Sequence, residues 1–149
     1  MPLNLSADII KSLLDLATDA GDKILEYYHT DIQVREKIDN SPVTEADEKA
    51  EEIILDGLAH FTPTIPAIGE ESYSAGKRHN INNGAFWLVD ALDGTKEFIN
   101  KRAEFTVNIA LINDGISIFG IVHAPALART FWGSSSGAFS KNKKGRISN

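Results

Sequence analysis

The residues best suited to chemistry stand in one stretch, Phe86-Trp87-Leu88-Val89-Asp90-Ala91-Leu92-Asp93-Gly94-Thr95-Lys96-Glu97-Phe98. Carboxylates hold hard cations through oxygen, and the free amides of a helix N-terminus hold phosphate. Asp90 and Asp93, followed directly by Gly94 and Thr95, therefore describe a metal-assisted phosphate site if the backbone brings them to one place. A second pair of acids, Glu70-Glu71, follows the short apolar piece Ala67-Ile68-Gly69. Alone, two adjacent glutamates read as a solvated loop.

The elements around these residues decide between readings. Phe86 to Val89 is an apolar run that reads as a buried strand delivering Asp90 at its C-terminal end. Gly94 permits a tight turn, and Thr95 to Ile99 can wind as a short helix that begins there. The competing reading takes Asp93-Gly94 as a type I′ hairpin turn. The residues after Gly94 do not alternate as a returning strand should, and an acid at position 90 is costly near a buried strand. The spacing therefore favours the site.

Upstream, Ser6 is placed to cap a helix with Ile9, Ile10, Leu13, Leu14, Ala17, Ala20, Ile24, Leu25 and Tyr28 on one face and Gly21 inside it. Ile32 to Lys37 alternates and reads as a half-exposed strand, and Asp39-Asn40-Ser41-Pro42 is a turn cluster. A second helix starts near Thr44, with Ala46, Ala50, Ile53, Ile54, Leu58 and Phe61 inward and Glu48, Lys49, Glu51 and Glu52 on the wet side. Asp47, three residues after Thr44, makes a capping box, and spacing alone assigns it no other role. Tyr73 to Gly84 reads as a mobile surface loop. Glu104 to Asn113 and Ile116 to Val122 form a hairpin turning at Asp114-Gly115, and Arg129 to Trp132 and Ala138 to Ser140 form two further short strands. Lys141 to Arg146 is a basic, solvated turn. The order of two helices followed by mainly antiparallel strands gives an α+β fold, two N-terminal helices packed on a mainly antiparallel sheet.

The 149 residues suffice for one domain with a real core. A net charge of −6 argues against nucleic acid as a partner. An acidic chain that handles phosphate needs cations, which the carboxylates could recruit. There are no cysteines, so thiol catalysis, disulfides and thiolate-held metals are excluded. His29, His60, His79 and His123 share no ligand spacing and read as structural or exposed. The N-terminal residues carry no secretory signal pattern, no apolar run is long enough to span a bilayer, and a cytoplasmic location is expected.

Taken together, Gly69-Glu70-Glu71-Ser72 and Trp87 to Thr95 resemble the two N-terminal signatures of the inositol monophosphatase superfamily of magnesium-dependent, lithium-sensitive phosphatases. Thr95-Lys96-Glu97-Phe98, Glu104 to Leu111 and Gly120 to Pro125 resemble its 3′(2′),5′-bisphosphate nucleotidase branch, whose activity would be hydrolysis of adenosine 3′,5′-bisphosphate to AMP. The resemblance implies that Glu70, Asp90, the backbone carbonyl of Leu92 and Asp93 hold Mg²⁺, two or three ions in a complete enzyme. It implies that Gly94 and Thr95, with Asp93 and Glu70, meet the substrate phosphate. It gives Asp47 and Thr95 the task of orienting and deprotonating the attacking water, with Glu70 sharing in catalysis and Glu71 behind it. The expected partner is a small phosphorylated substrate, a nucleotide bisphosphate or an inositol or sugar phosphate; a homodimer and a peripheral membrane contact stay open.

The sequence departs from the family in two ways. Ala91 stands where the family usually has proline, which removes rigidity but no ligand. The family's C-terminal half, with a Trp-Asp motif that completes the second metal site, has no counterpart here. The chain is therefore expected to be the N-terminal half of the sugar-phosphatase fold, an α+β metal- and phosphate-binding domain without the C-terminal α/β domain. The alternative is that these residues alone bind metal and phosphate but are catalytically silent.

Overall fold

The structure, a computed structural model, describes residues 5–30, 34–36, 42–76 and 84–149. Helix α1 (Ala7–Tyr28) begins at Ser6, whose hydroxyl accepts from the Ile9 amide at 3.2 Å. It buries Leu13, Leu16, Ala17, Ala20 and Ile24. Gly21 is explained by packing: a Cβ there would lie 2.7 Å from the His123 ring and 3.0 Å from Pro125. Strands β1 (Val34–Glu36) and β2 (Pro42–Thr44) pair antiparallel as a separate ribbon. The remainder of the Ile32–Lys37 expectation, and Asp39-Asn40-Ser41, lie outside the described residues.

Helix α2 (Glu45–Phe61) lies beside α1, close enough at Gly57 that a Cβ would meet Leu16 at 2.4 Å. Its apolar stripe is as expected, with Ala46, Ala50, Ile54 and Leu58 fully buried. Glu51 is not. The sequence pattern puts it on the wet side, yet it is only 4% exposed. The reason is non-local: it is met by donors some twenty residues on.

The main sheet runs β3-β4-β5-β6-β7-β8-β9. Strand β3 (Ala67–Gly69) pairs parallel with β4 (Ala85–Asp93), and every other neighbouring pair is antiparallel. Between β3 and β4, Glu70–Ser74 form a short helix, α3, so Tyr73 and Ser74 are not loop as expected; residues 77–83 lie outside the described set. After β4 comes α4 (Thr95–Ile99), then the hairpin β5 (Thr106–Asn113) and β6 (Ile116–Ala124), whose turn residues Asp114 and Gly115 both have positive φ. A 3₁₀ turn at Pro125–Leu127 leads to β7 (Arg129–Ser134), β8 (Gly137–Lys141) and the two-residue β9 (Ile147–Ser148). The architecture is α+β with a seven-stranded mixed sheet, as expected.

The period-2 alternation of the strands sends Trp87, Val89, Val107, Ile109, Leu111, Phe119 and Ile121 into one core with the inner faces of α1 and α2. Trp87 is fully buried and still satisfies its indole donor, which gives a 2.9 Å hydrogen bond to Thr62 Oγ1 at the end of α2. The residues between them face the other way. There Leu88, Val122 and Phe131 are 47%, 43% and 43% exposed, so among the described residues the core lies on the opposite face of the sheet.

Candidate active site

Strand β4 does not stop at Asp90. It continues to Asp93, and its register with β5 shifts between those two acids. The shift lets Ala91 and Leu92, both 2% exposed, tuck into the core in succession while Asp93 turns out to solvent. Gly94 then takes φ +90°, ψ 43°, the left-handed region that favours glycine, and α4 starts on the next residue. A Cβ at this position would come within 3.2 Å of the Glu104 carbonyl. The hairpin alternative for Asp93-Gly94 is thereby set aside, and no side chain caps the N-terminus of α4.

Asp47 reconciles its two readings. The capping box exists: Asp47 Oδ2 accepts from the Thr44 amide at 2.9 Å and from Thr44 Oγ1 at 2.6 Å. Its other oxygen, Oδ1, accepts a 2.9 Å hydrogen bond from Thr95 Oγ1, at the first residue of α4. Asp47 is 1% exposed. The Thr95 hydroxyl also stands 3.3 Å from the Leu92 carbonyl. It has one proton, and the shorter contact to the carboxylate claims it.

The second group gathers at the C-terminal ends of β3 and β4. Glu70 opens α3, and its carboxyl is hydrogen-bonded to Asp90. Burial is the first cause that pushes the Asp90 carboxyl up, to about 8; the hydrogen bond and charge of Glu70 follow, then the charges of Asp93 and Glu71. Asp90 Oδ1 is buried with no hydrogen-bond partner. Asp93 is held from the side by Asn108, the cross-strand partner of Asp90, whose Nδ2 donates to Asp93 Oδ2 at 3.1 Å while its Oδ1 is also buried and unpartnered.

Among the described residues, no three Asp, Glu, His or Cys side chains form a ready-made cage for a metal ion. The donor set nevertheless fits a hard divalent cation. Crowded carboxylates, an orphaned buried carboxylate oxygen on Asp90 and the Leu92 carbonyl are all oxygen donors of the kind Mg²⁺ takes, and an uncompensated buried carboxylate is expensive unless a cation meets it.

The structure thus brings together Asp47 with Thr95 and Glu70 with Asp90, and sets Asp93 and Glu71 near enough to Asp90 to be felt. Two participants were not legible in the sequence. Glu51 looked like any charged residue beside Glu52, and Asn108 becomes relevant only through the β4–β5 register. The described histidines stay out of it: His29 and His60 are exposed, and His123 is buried, hydrogen-bonded through Nδ1 to Thr130 Oγ1 at 2.8 Å and held below its ordinary pKa by desolvation; His79 lies outside the described residues.

The model of the inositol monophosphatase family matches residues 6–149. The chain belongs to this family. Within it, the chain is 46% identical over 121 residues to the 3′(2′),5′-bisphosphate nucleotidase CysQ of Escherichia coli (strain K12), covering 80% of this chain and 49% of that protein. Among solved structures, CysQ from Bacteroides thetaiotaomicron superposes with a TM-score of 0.74 at 33% identity, over 95% of this chain and 51% of its own. The extragenic suppressor protein suhB from Bartonella henselae superposes with a TM-score of 0.79 at 27% identity, over 90% of this chain and 52% of its own. The chain spans about half the length of these inositol monophosphatase relatives. No described helix is long and apolar enough to cross a membrane.

Proposed function

We propose that this protein is a magnesium-dependent phosphomonoesterase whose substrate is adenosine 3′,5′-bisphosphate, giving AMP and phosphate. The observation that carries the reading is the hydrogen bond from Thr95 Oγ1 to the buried Asp47 Oδ1, with Thr95 two residues after Asp93, whose charge is felt by Asp90. Because Thr95 gives its own proton to Asp47, the lone pairs of its hydroxyl are available to a water molecule on the other side. That water can pass its proton to Thr95 Oγ1 as Thr95 passes one to Asp47 Oδ1. Asp47 is already oriented by its two bonds from Thr44, so the acceptor needs no rearrangement.

Glu70, Asp90, Asp93 and the Leu92 carbonyl would hold the cation. When bound, magnesium lowers the pKa of water and offsets the charge of the phosphate and leaving oxygen. The amides of Gly94 and Thr95, at the uncapped start of α4, would meet the phosphate oxygens. The substrate choice rests on Lys96-Glu97-Phe98 after Thr95 and on the nucleotidase names of the CysQ relatives. The family description favours an inositol phosphate as the second reading.

The activity is proposed for a protein of the relatives' length. The 149 residues alone are proposed to be an N-terminal metal- and phosphate-binding domain with little turnover, and the setting is proposed to be the cytoplasm. Phosphate release from a panel of adenosine 3′,5′-bisphosphate, inositol 1-phosphate and sugar phosphates, with and without Mg²⁺, tests this on the chain and on a version extended to the relatives' length. The expected result is magnesium-dependent release with a preference for the nucleotide, much faster in the longer form. A preference for inositol 1-phosphate overturns the substrate, and equal turnover by the two forms overturns the division of labour.

A further inference from the structure

Glu51 is a buried acid that the catalytic reading leaves unused. Its carboxylate is 4% exposed and is held by three donors: the Glu71 amide to Oε1 at 2.7 Å, and the Ser72 amide and hydroxyl to Oε2 at 3.0 and 2.5 Å. These donors belong to the first turn of α3, so a side chain from α2 caps a helix that begins nineteen positions later, with Gly69 at the N-cap making no side-chain bond of its own. The carboxylate fits because position 69 is glycine: a Cβ there would stand 2.3 Å from both Glu51 Cδ and Oε1. Gly69, Glu51, Glu71 and Ser72 are thus one interlocked unit, and Glu70 is the residue in its middle whose carboxyl reaches Asp90.

Glu51 also lies one helical turn after Asp47. Four residues of α-helix advance about 6 Å along the axis and return to nearly the same face, so both buried acids leave α2 in similar directions. Asp47 fixes Thr95, at the head of α4; Glu51 fixes the turn that carries Glu70. Helix α2 therefore acts as a common reference for the two parts of the site.

We propose that Glu51 is a positioning residue: by locking the Gly69–Ser72 turn it sets where Glu70 stands relative to Asp90, and so determines how tightly the site takes a divalent cation. This rests on the reading that Glu70 and Asp90 hold that cation. A residue that merely stabilised the fold would lower the melting temperature but leave the cation affinity of the folded chain unchanged.

The test compares wild type, Glu51→Gln and Ser72→Ala by Mg²⁺ calorimetry and by amide hydrogen exchange, at a temperature where each is folded. Glutamine keeps the volume of Glu51 but has one acceptor oxygen, so one donor of the turn must face an NH₂ group. Exchange at the Glu71 and Ser72 amides should accelerate while exchange at Ile54 and Leu58 does not. The Mg²⁺ dissociation constant should rise roughly 10- to 100-fold, the range seen when a group behind a metal ligand is lost. Ser72→Ala, which removes a single donor, should shift both in the same direction by less. In a Glu70→Gln background, Glu51→Gln should change Mg²⁺ affinity less than about twofold, because the ligand through which it acts is already gone.

Unchanged affinity in Glu51→Gln, or an undiminished effect in the Glu70→Gln background, overturns the proposal. If Glu51→Gln does not fold, Ser72→Ala carries the same readings. If wild type binds no Mg²⁺, the cation reading itself falls, and unaltered exchange at Glu71 and Ser72 would then remove the turn lock as well.

Discussion

The two halves of the candidate site are built on opposite principles. Around Asp47 both carboxylate oxygens are engaged at short range, by Thr44 on one side and Thr95 on the other, in a pocket from which solvent is excluded. Around Asp90 like charges are crowded together and a buried oxygen has no partner. The first half is finished by the fold itself and serves to hold a hydroxyl in place. The second crowds acids around a carboxyl whose pKa burial and those acids push up, and in the proposed function a cation completes it.

The largest expected effect comes from breaking the unfinished half. Asp90→Asn should reduce Mg²⁺-dependent turnover of the extended protein by about a thousandfold or more, since loss of cation stabilisation is worth several kcal/mol and each 1.36 kcal/mol is tenfold. Above about pH 8, where the Asp90 carboxyl is ionised, the same change relieves the like-charge crowding, so there the metal-free chain should melt roughly 2–4 °C higher, about 1 kcal/mol for a domain of this size. Calorimetry and a phosphate-release assay read the two outcomes; a lower melting point would mean that Asp90 is structurally satisfied.

Breaking the finished half should separate differently. Thr95→Ala is expected to lower kcat by about a hundredfold to ten-thousandfold, the usual worth of a positioned proton acceptor, with the Mg²⁺ dissociation constant nearly unchanged. Asp47→Asn should do the same and in addition cost on the order of 1 kcal/mol of helix capping. If Asp47→Asn costs only that stability, its role is the cap alone.

Gly94→Ala probes the joint between the two. A residue with a Cβ in the left-handed region costs roughly 1–2 kcal/mol, and here it also crowds the Glu104 carbonyl. Denaturant unfolding should show a loss of that order, and a shift of the midpoint of less than a few tenths of a kcal/mol would show that α4 can start elsewhere.

The smallest and most specific effect is in pH. The Asp90 carboxyl is raised from 3.8 to about 8 in the metal-free fold, so its contribution to stability is fully present below about pH 4 and is lost as pH rises through about 8. Saturating Mg²⁺, which favours the ionised form, should remove this decline. Melting temperatures from pH 5 to 9 in EDTA and in Mg²⁺ should therefore diverge as pH rises. At pH 7, calorimetry in buffers of different ionisation enthalpy should register up to about one proton released per ion bound, falling towards zero above pH 9.

How much of this could be read from the sequence depended on range. The stripes of α1 and α2, the capping box at Thr44 and Asp47, and the β5–β6 hairpin at Asp114-Gly115 follow from residues within a turn or two of each other, and all are present. The metal and phosphate reading depended on the paired signatures, because no local rule distinguishes Glu70 from a solvated glutamate. What stayed hidden was set by partners distant in sequence. Glu51 is buried because the amides of Glu71 and Ser72 come to it, and Asn108 reaches Asp93 because β5 lies in one register and not another. Helix α3 was missed for a related reason: Glu70-Glu71-Ser72-Tyr73-Ser74 has no apolar period, and its first turn is stabilised from α2.

The β5–β6 hairpin offers a practical handle. Its turn, Asp114-Gly115, is solvent-exposed and lies at the opposite end of β5 from Thr106, the partner of Asp93, about 23 Å away for eight residues of extended chain. A short glycine-flanked tag or a single dye attached beyond that turn would sit a full strand length from Asp93 and about six residues of β5 from Asp90, the partner of Asn108. Chains could then be immobilised or followed by fluorescence while cations are exchanged, and a cysteine introduced there for labelling would be the only thiol in the sequence.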